Sequence, residues 1–470
     1  MKIKLIAPHE LSDDTISSAQ TFAIQKVNLP LLAALTPPEH SVKIVDEAFG
    51  ADDPGEGADL VGITVMTDLA LRAYQIADEY RRRGIRVVMG GIHPTVLPGE
   101  ALQHADAVVT GEAETIWPGL LADAASGKLR RRYSAATVTN LAGMPIPQRQ
   151  LYPKRTYGSY TPLASGIETA RGCPYSCEFC SIGSVMGRQY RARPAAEVIR
   201  EIHSIAHPYL FFVDDALAVN RPVAKKLFTE MIPLRRKWAG QGAVSLAEDL
   251  ELLKLLQRSG CVGLLIGFES VQSETRDGMN KLTHLRIDFA EAMRRFHGEG
   301  IAILGAFVFG FDHENADVFD QTLEFSIRNR LDFLQLRILT PYPGTRLYSR
   351  LMEEGRLFAR DWWLRGYGPD ALLFEPRGMT AEKLVEGFVR LNRQTYSFGS
   401  IVKRFFGMSP WHRGRFGCSV YAGLNLATRA RYLRGIQLPQ PFVKRGDSGE
   451  GRPADVRGLE PERSGAGGRP

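Results

Sequence analysis

Cysteine is scarce in this chain, with five in 470 residues. Three of the five are clustered, so a disulfide framework is not expected and a reducing, cytoplasmic compartment is. Long apolar runs are also missing. The longest strongly apolar stretch, AILGAFVFGF at 302–311, is shorter than the ~20 residues that a bilayer requires. The opening MKIKLIAPHE has neither a long apolar stretch nor a cleavage site, and no signal peptide is expected. No basic patch interleaved with aromatics occurs in the body of the chain, which argues against a nucleic-acid partner. The net charge of +7 does not change this. Residues 401–470 hold 13 Lys/Arg against 5 Asp/Glu, an excess of eight, so the preceding 400 residues sum to −1. The basicity belongs to the C-terminal region, where it suits a solvated tail or a peripheral contact with an anionic surface.

What remains is ordinary for a globular protein: 44% apolar and 24% charged residues, in a chain long enough for two or three domains. The first part alternates strand-like and helix-like segments. IKLIA (3–7), VKIVD (42–46), LVGITV (60–65), RVVMGG (86–91) and AVVTG (107–111) are short apolar runs. Between them DLALRAYQIADEYRRRG (68–84) carries apolar residues at helical spacing and stops at Gly84, as a C-terminal capping glycine would. This predicts an α/β, doubly wound, flavodoxin-like domain over residues 1–135, with its ligand loops GGIHPT (90–95) and TGEAE (110–114) beyond the strand C-termini. Gly90 and Gly91 would let backbone approach a bulky ligand closely.

After a connector, a second alternating series begins. Its strand candidates are SGIETA (165–170), YLFFVDD (209–215), AVSL (243–246), VGLLIGFE (262–269), AILGAFVFG (302–310) and DFLQLRILT (332–340). Six units in a row predict a partial (β/α)6, TIM-type barrel over 160–345, with chemistry at the strand C-terminal ends. Residues 346–435 read as a helical C-terminal region. Residues 436–470 are rich in Gly, Pro and charge without apolar anchors and read as a disordered tail.

RGCPYSCEFCSIG (171–183) falls in the loop after the first barrel strand and holds Cys173, Cys177 and Cys180 as C-x-x-x-C-x-x-C. A structural zinc normally takes four protein ligands, and no fourth cysteine or histidine lies nearby. A redox pair needs only C-x-x-C and would leave Cys173 idle. Three thiolates on a [4Fe–4S] cluster leave one iron without a protein bond, and an open iron is a binding site. The open cluster is the favoured reading, with zinc completed by a distant residue as the alternative.

On these residues, with Phe179 before the last cysteine, the chain resembles the radical S-adenosylmethionine superfamily. The resemblance implies a [4Fe–4S] cluster on Cys173, Cys177 and Cys180 whose open iron chelates S-adenosylmethionine. It also implies cleavage of that cofactor to a 5′-deoxyadenosyl radical. By the same resemblance, Asp214 and Asp215 would lie near the methionine amino group and Glu269, in LLIGFES, would contact the cofactor. Their alternative readings are a helix cap and a strand-end ion pair. LPLLAALTPPEHSVKIVDEAF, GGIHPTVLPGEAL and VVTGEAET are similar to the cobalamin-binding domain that precedes many of these enzymes. That implies cobalamin, here without the D-x-H-x-x-G histidine. His93 then reads as a loop-shaping residue rather than an axial ligand.

The function implied is a cobalamin-dependent methyltransferase acting on an unactivated carbon of a small-molecule or lipid-like substrate. An oxidative cyclase or other radical tailoring enzyme is the runner-up, and a non-catalytic iron–sulfur or regulatory protein is the alternative from another class. An external electron donor such as flavodoxin or ferredoxin is implied. YAGLNLATRARYLRG (421–435) mixes Leu and Tyr with Arg, which suits a peripheral membrane contact.

Overall fold

The computed structural model describes residues 1–9, 24–50, 52–135, 140–152, 164–273, 275, 288–368, 371–406 and 414–433. The expected tail, 436–470, lies outside them. Strand β1 (Lys2–Ala7) is followed by β2 (Ile24–Gln25), β3 (Ser41–Asp46), β4 (Leu60–Thr64), β5 (Arg86–Gly90), β6 (Ala107–Thr110) and β7 (Arg132–Ser134). All but β2 form one parallel sheet in the order β3-β1-β4-β5-β6-β7. The near-continuous Val/Ile runs of β1, β4, β5 and β6 are buried because helices cover both faces. The chain leaves β1 on one side to make β3 and returns on the other to make β4, so β1 marks the switch point where such sheets bind ligands. The expected flavodoxin-like sheet is present, with β7 added at its edge.

Residues Ala70–Arg82 form the expected helix, burying Ala73, Tyr74, Ala77 and Tyr80 against the sheet. Gly84 follows with φ +74°. A second layer over this helix comes from far along the chain: Trp362, Trp363 and Leu373 join the same apolar core. The 3-10 turn Trp362–Leu364 therefore packs on the first domain, and its tryptophans are core residues.

The second sheet uses β8 (Ala164–Ile167), β11 (Tyr209–Phe212), β12 (Lys237–Gly242), β13 (Cys261–Glu269), β14 (Ala302–Phe309) and β15 (Phe333–Ile338). Its order is β15-β14-β13-β12-β11-β8-β2, and every pairing is parallel. The first domain thus lends β2 to the barrel edge, a two-residue strand too short to leave a pattern in the sequence.

One expected barrel strand is corrected. AVSL (243–246) is not a strand: Val244–Glu248 form a 3-10 turn, and the third strand is the preceding KWAGQG. The glycines make room for this exchange. A Cβ on Gly242 would lie 2.4 Å from Leu246 Cδ1, and one on Gly240 would lie 3.0 Å from Phe212 Cβ. The strand gives up side chains so that the turn can fold back over it. Trp238 anchors it, buried and stacked on Phe228 with ring centroids 5.0 Å apart. Among the described residues, four α-helices follow the barrel: Arg346–Glu353, Ala381–Thr395, Phe398–Phe406 and Gly414–Leu433.

Candidate active site

The cysteine loop starts from a small antiparallel clip of β9 (Ala170–Arg171) and β10 (Arg191–Ala192). Gly172, between the clip and Cys173, has φ +81°, and a Cβ there would lie 2.3 Å from Gln189 O. Only glycine fits. Cys173, Cys177 and Cys180 are half-buried thiols. Burial pushes the Cys180 thiol up, and the nearby Cys173, Asp215 and Glu269 add to it. The fold thus gathers one carboxylate from the end of β11 and one from the end of β13 around the cysteine loop.

Asp214 and Asp215 do different jobs. Asp214 is buried and accepts from Thr169 N at 2.6 Å, Ala170 N at 3.2 Å and the Thr169 hydroxyl. Burial outweighs those donors and raises its carboxyl to about 7. Its oxygens are turned to the strand β8 exit, which makes it a positioning group. Asp215 accepts from Gly172 N at 3.3 Å and reaches the cysteine loop itself. Burial raises its carboxyl too. Neither aspartate acts as the N-terminal cap of the next helix; Asn220 caps Arg221–Met231.

Glu269 ends β13 with φ +62°, at a register shift between Gly267 and Glu269. A non-glycine residue held in this region is strained, and such strain concentrates at functional sites. Its neighbour Ser270 donates to Glu314 at 2.6 Å, and Glu314 also accepts from Gly310 N at 2.8 Å and Phe311 N at 3.2 Å. Glu314 therefore ties the ends of β13 and β14 together. No spacing rule in the sequence pointed to it.

The loop's outer half is held by the barrel's last unit. Leu347 N donates to Glu178 O at 3.0 Å, and the Arg346 guanidinium donates to Ser176 O. Arg350 bridges Glu178 at 2.8 Å and Asp312 at 2.5 Å. Phe179 packs edge-on against Phe311, ring centroids 5.7 Å apart, and so closes the loop's inner side with apolar surface.

The thiols suit a cluster. Among the described residues no three His, Cys, Asp or Glu side chains converge closely enough to share one ion, and a cubane instead takes each thiolate on a different iron. Cys261 is buried in the barrel core and Cys418 sits on the C-terminal helix. Cys173, Cys177 and Cys180 alone among the five cysteines share one loop, the set that the spacing expects to hold the cluster.

The two domains meet at the cysteine loop. Glu112, in TGEAE, accepts from Arg171 at 2.9 Å and Arg191 at 2.6 Å, one from each strand of the clip. Glu114 pairs with Arg171 at 2.6 Å, and Glu168 pairs with it at 2.9 Å. Glu112, Arg171 and Arg191 are all buried. The signal in the sequence was the arginine two positions before Cys173, with acidic TGEAE as its complement. Nearby, Gly344 after β15 approaches so closely that its Cβ would lie 2.8 Å from Val96.

On the first domain, Met66 at the end of β4 is 51% exposed, an apolar surface beside the switch point that suits a large flat ligand. Gly91 has φ +103° and ψ −167°, a region open only to glycine. A Cβ there would lie 3.0 Å from both the N and O of Val65, whereas one on Gly90 would meet only Val109, at 3.6 Å. The fold therefore demands glycine at 91 and not at 90.

His93 is fully buried. Its Nε2 is shared between the Tyr74 hydroxyl at 2.9 Å and Glu100 Oε1 at 3.0 Å. Trp363 Nε1 also donates to Glu100, at 3.0 Å. The Tyr74 hydroxyl donates to Glu100 as well, at 2.8 Å; burial alone would raise Glu100, but His93, Tyr74 and Trp363 together outweigh it and hold its carboxyl low. His93 is thus tied into the loop from within the protein through its Nε2.

Residues 167–326 match the family model for the radical SAM superfamily, and residues 41–121 match that for the B12 binding domain. The chain is 31% identical over 391 residues to bacteriochlorophyllide d C-12(1)-methyltransferase of Chlorobaculum tepidum, covering 81% of this chain and 84% of that one. It is 26% identical to an anaerobic magnesium-protoporphyrin IX monomethyl ester cyclase of Cereibacter sphaeroides, covering 83% of this chain and 65% of the cyclase. The fold is shared with the radical S-adenosylmethionine methyltransferase TsrM of Kitasatospora setae, solved with cobalamin and a [4Fe–4S] cluster. That match has a TM-score of 0.64 at 17% identity, over 93% of this chain and 98% of TsrM. This chain belongs to the radical S-adenosylmethionine superfamily, in the branch with an N-terminal B12-binding domain, and is an enzyme that uses a [4Fe–4S] cluster, S-adenosylmethionine and cobalamin.

Proposed function

We propose that this chain methylates an unactivated carbon of a pigment-like or lipid-like small molecule. One observation carries the reading. The strand C-terminal ends of both sheets are held at one junction by Glu112, Arg171 and Arg191, so a cluster on the cysteine loop and a corrin at the switch point would border one cavity. When bound, the cluster and S-adenosylmethionine supply homolytic C–H cleavage and cobalamin supplies the methyl group.

The chain's own residues do the rest. Cys173, Cys177 and Cys180 hold the cluster, and Asp215 fixes the backbone at Gly172. Asp214 locks the exit of β8, and Phe179 with Phe311 keeps water from the inner side of the loop. Glu269, fixed at positive φ by the bulge, presents its carboxylate toward the cysteines, where an ammonium or ribose of S-adenosylmethionine would meet it.

A small electron-transfer protein such as flavodoxin or ferredoxin reduces the cluster from the cytoplasm. The C-terminal region makes a peripheral contact with a membrane. In support, the helix Gly414–Leu433 turns Tyr421, Asn425 and Thr428 inward and leaves Leu426 and Leu433 exposed, two apolar side chains on one outer face inside the most basic part of the chain. No described helix is long and apolar enough to cross a membrane.

The test is mass spectrometry of extracts from cells with and without the protein, supplied with methyl-labelled methionine. The expected product is one labelled methyl group heavier than its precursor. A product that gains a ring and no label would replace methyl transfer with the cyclase reading, which the Cereibacter relative makes the natural second choice.

A further inference from the structure

Among the described residues, the barrel interior is not filled. In a complete TIM barrel, layers of bulky side chains pack the lumen. Here the register sets Phe211 beside Ala239, Gly263 and Ala302 across four neighbouring strands. The next inward layers place Leu265 beside Leu304, then Gly267 beside Ala306 and Gln335. The inward positions are only half-buried, while the alternating outward positions Leu264, Ile266, Ile303 and Phe307 are fully buried. The lumen is therefore open, and it continues toward the strand N-termini as a cavity of about 1580 Å³. That is larger than the roughly 300–1,000 Å³ of a pocket for a drug-sized ligand.

The far end of this cavity is closed by the helix Gly414–Leu433, with Tyr421 and Asn425 on its wall. Asn425 donates to Asp332 O at 3.0 Å and accepts from Arg404 at 2.9 Å, which fixes the helix across the barrel base. The charge at this end is one-sided. Lys237, Arg328, Arg330 and Arg431 line it against Glu299 and Asp332, and Asp332 already accepts from Ile303 N at 2.7 Å. The upper end of the cavity, at Gln335 and Arg337, lies on the strand that leads to the loop beside the cysteines.

We infer that this basal cavity holds the apolar body of the substrate, an elongated or polycyclic amphiphile whose acidic group rests at the basic rim. This rests on the methyl-transfer reading of the site and deepens it. The acid anchors one end at the barrel base, and the carbon to be methylated lies at the opposite end, past Gln335 and Arg337 on the strand that leads to the loop beside the cysteines. The small residues of the Ala239–Gly263–Ala302 layer set the width of the passage between the two. They would then decide which ring systems or chain shapes can enter.

The test uses the full-length, cluster-loaded protein and two probes, cis-parinaric acid and its methyl ester, read by fluorescence. The native protein should bind the acid saturably and more tightly than the ester. Ala302→Phe, which puts a ring across the passage, should weaken binding by about tenfold or more. Ala239→Phe, in the same layer two strands away on β12, serves as the second variant if the first fails to fold. Leu250→Ser, at an exposed position that starts the helix Leu250–Arg258 away from the cavity, should leave binding unchanged. Iron content and release of 5′-deoxyadenosine from S-adenosylmethionine are measured alongside, since they report the cluster reading separately. Equal binding by native protein and both lumen variants would overturn the inference, as would loss of binding only in Leu250→Ser. Absence of saturable binding in a protein that still cleaves S-adenosylmethionine would overturn the cavity assignment and leave the reaction intact.

Discussion

Glu112 and Arg191 lie 2.6 Å apart across the junction of the two domains, and the arginine closes the clip from which the cysteine loop springs. Because Glu112 also holds Arg171, one carboxylate from the corrin-side domain sets the position of both clip strands. Glu112→Ala should destabilise the protein by about 3–5 kcal/mol, the usual result of leaving buried charge uncompensated. Glu112→Gln keeps the shape and should cost less. Thermal unfolding with the cluster loaded checks this, together with iron retention on warming. A Glu112→Ala protein with native stability and iron content would mean that the clip holds itself.

The ligand set makes a second expectation. Replacing Cys173, Cys177 or Cys180 with Ala should abolish the cluster and the 5′-deoxyadenosine it generates. Cys261→Ala should leave the iron content unchanged and lower stability slightly, since this thiol is buried in the barrel core. Cys418→Ala should alter neither. Iron and sulfide analysis of the five variants decides it; loss of iron in the Cys261 or Cys418 variant would point to a four-cysteine site.

Sequence reading reached the architecture because its signals are repetitive. Five buried strands in the first domain and five of the six proposed for the barrel are apolar runs between glycine- and charge-bearing turns. KWAGQG escaped because its packing comes from neighbours: Leu246 covers Gly242, so the apolar residues sit in the turn and the strand looks polar. The three cysteines stand out in the sequence because their spacing is local. Glu314, Arg171 and Glu112 were not legible as a set, because the bonds by which they tie separate elements together run to partners 44 to 79 positions away. The two tryptophans at 362 and 363 illustrate the same limit: their core lies on the first domain.

The glycine pair should behave unequally. Gly91→Ala should cost about 1–3 kcal/mol from its backbone conformation alone, with a further penalty from the Val65 peptide 3.0 Å away. Gly90→Ala should be nearly neutral in the unliganded protein, measured by urea unfolding. If Gly90→Ala keeps its stability and loses cobalamin affinity, the space at 90 is needed by the corrin. His93→Ala should weaken the fold, by emptying a site packed against Tyr74 and Trp363. The absorption spectrum of whatever cobalamin it binds should stay unchanged. A spectral change reporting lost imidazole ligation would reverse the assignment of His93.

Glu314 supplies a prediction about pH. Burial raises its carboxyl from 4.5 to about 7 despite donors from Ser270, Gly310 and Phe311. In the unfolded chain the group titrates near its ordinary value, so between about pH 4.5 and 7 the folded state binds more protons than the unfolded state. Stability contributed by this group is therefore fully present below pH 4.5 and falls as pH rises through 7. The span corresponds to an effect on the order of 3 kcal/mol. Glu314→Gln cannot ionise and should lack this slope. Relative to the native protein it should be least stable near pH 5, where the protonated acid keeps its full set of hydrogen bonds. It should recover relative stability near pH 8, where the native protein must bury a charge. Urea unfolding of both proteins at pH 5, 6, 7 and 8 measures the difference directly. A constant difference across that range would show that Glu314 stays ionised throughout, its three donors prevailing over burial at the junction of β13 and β14.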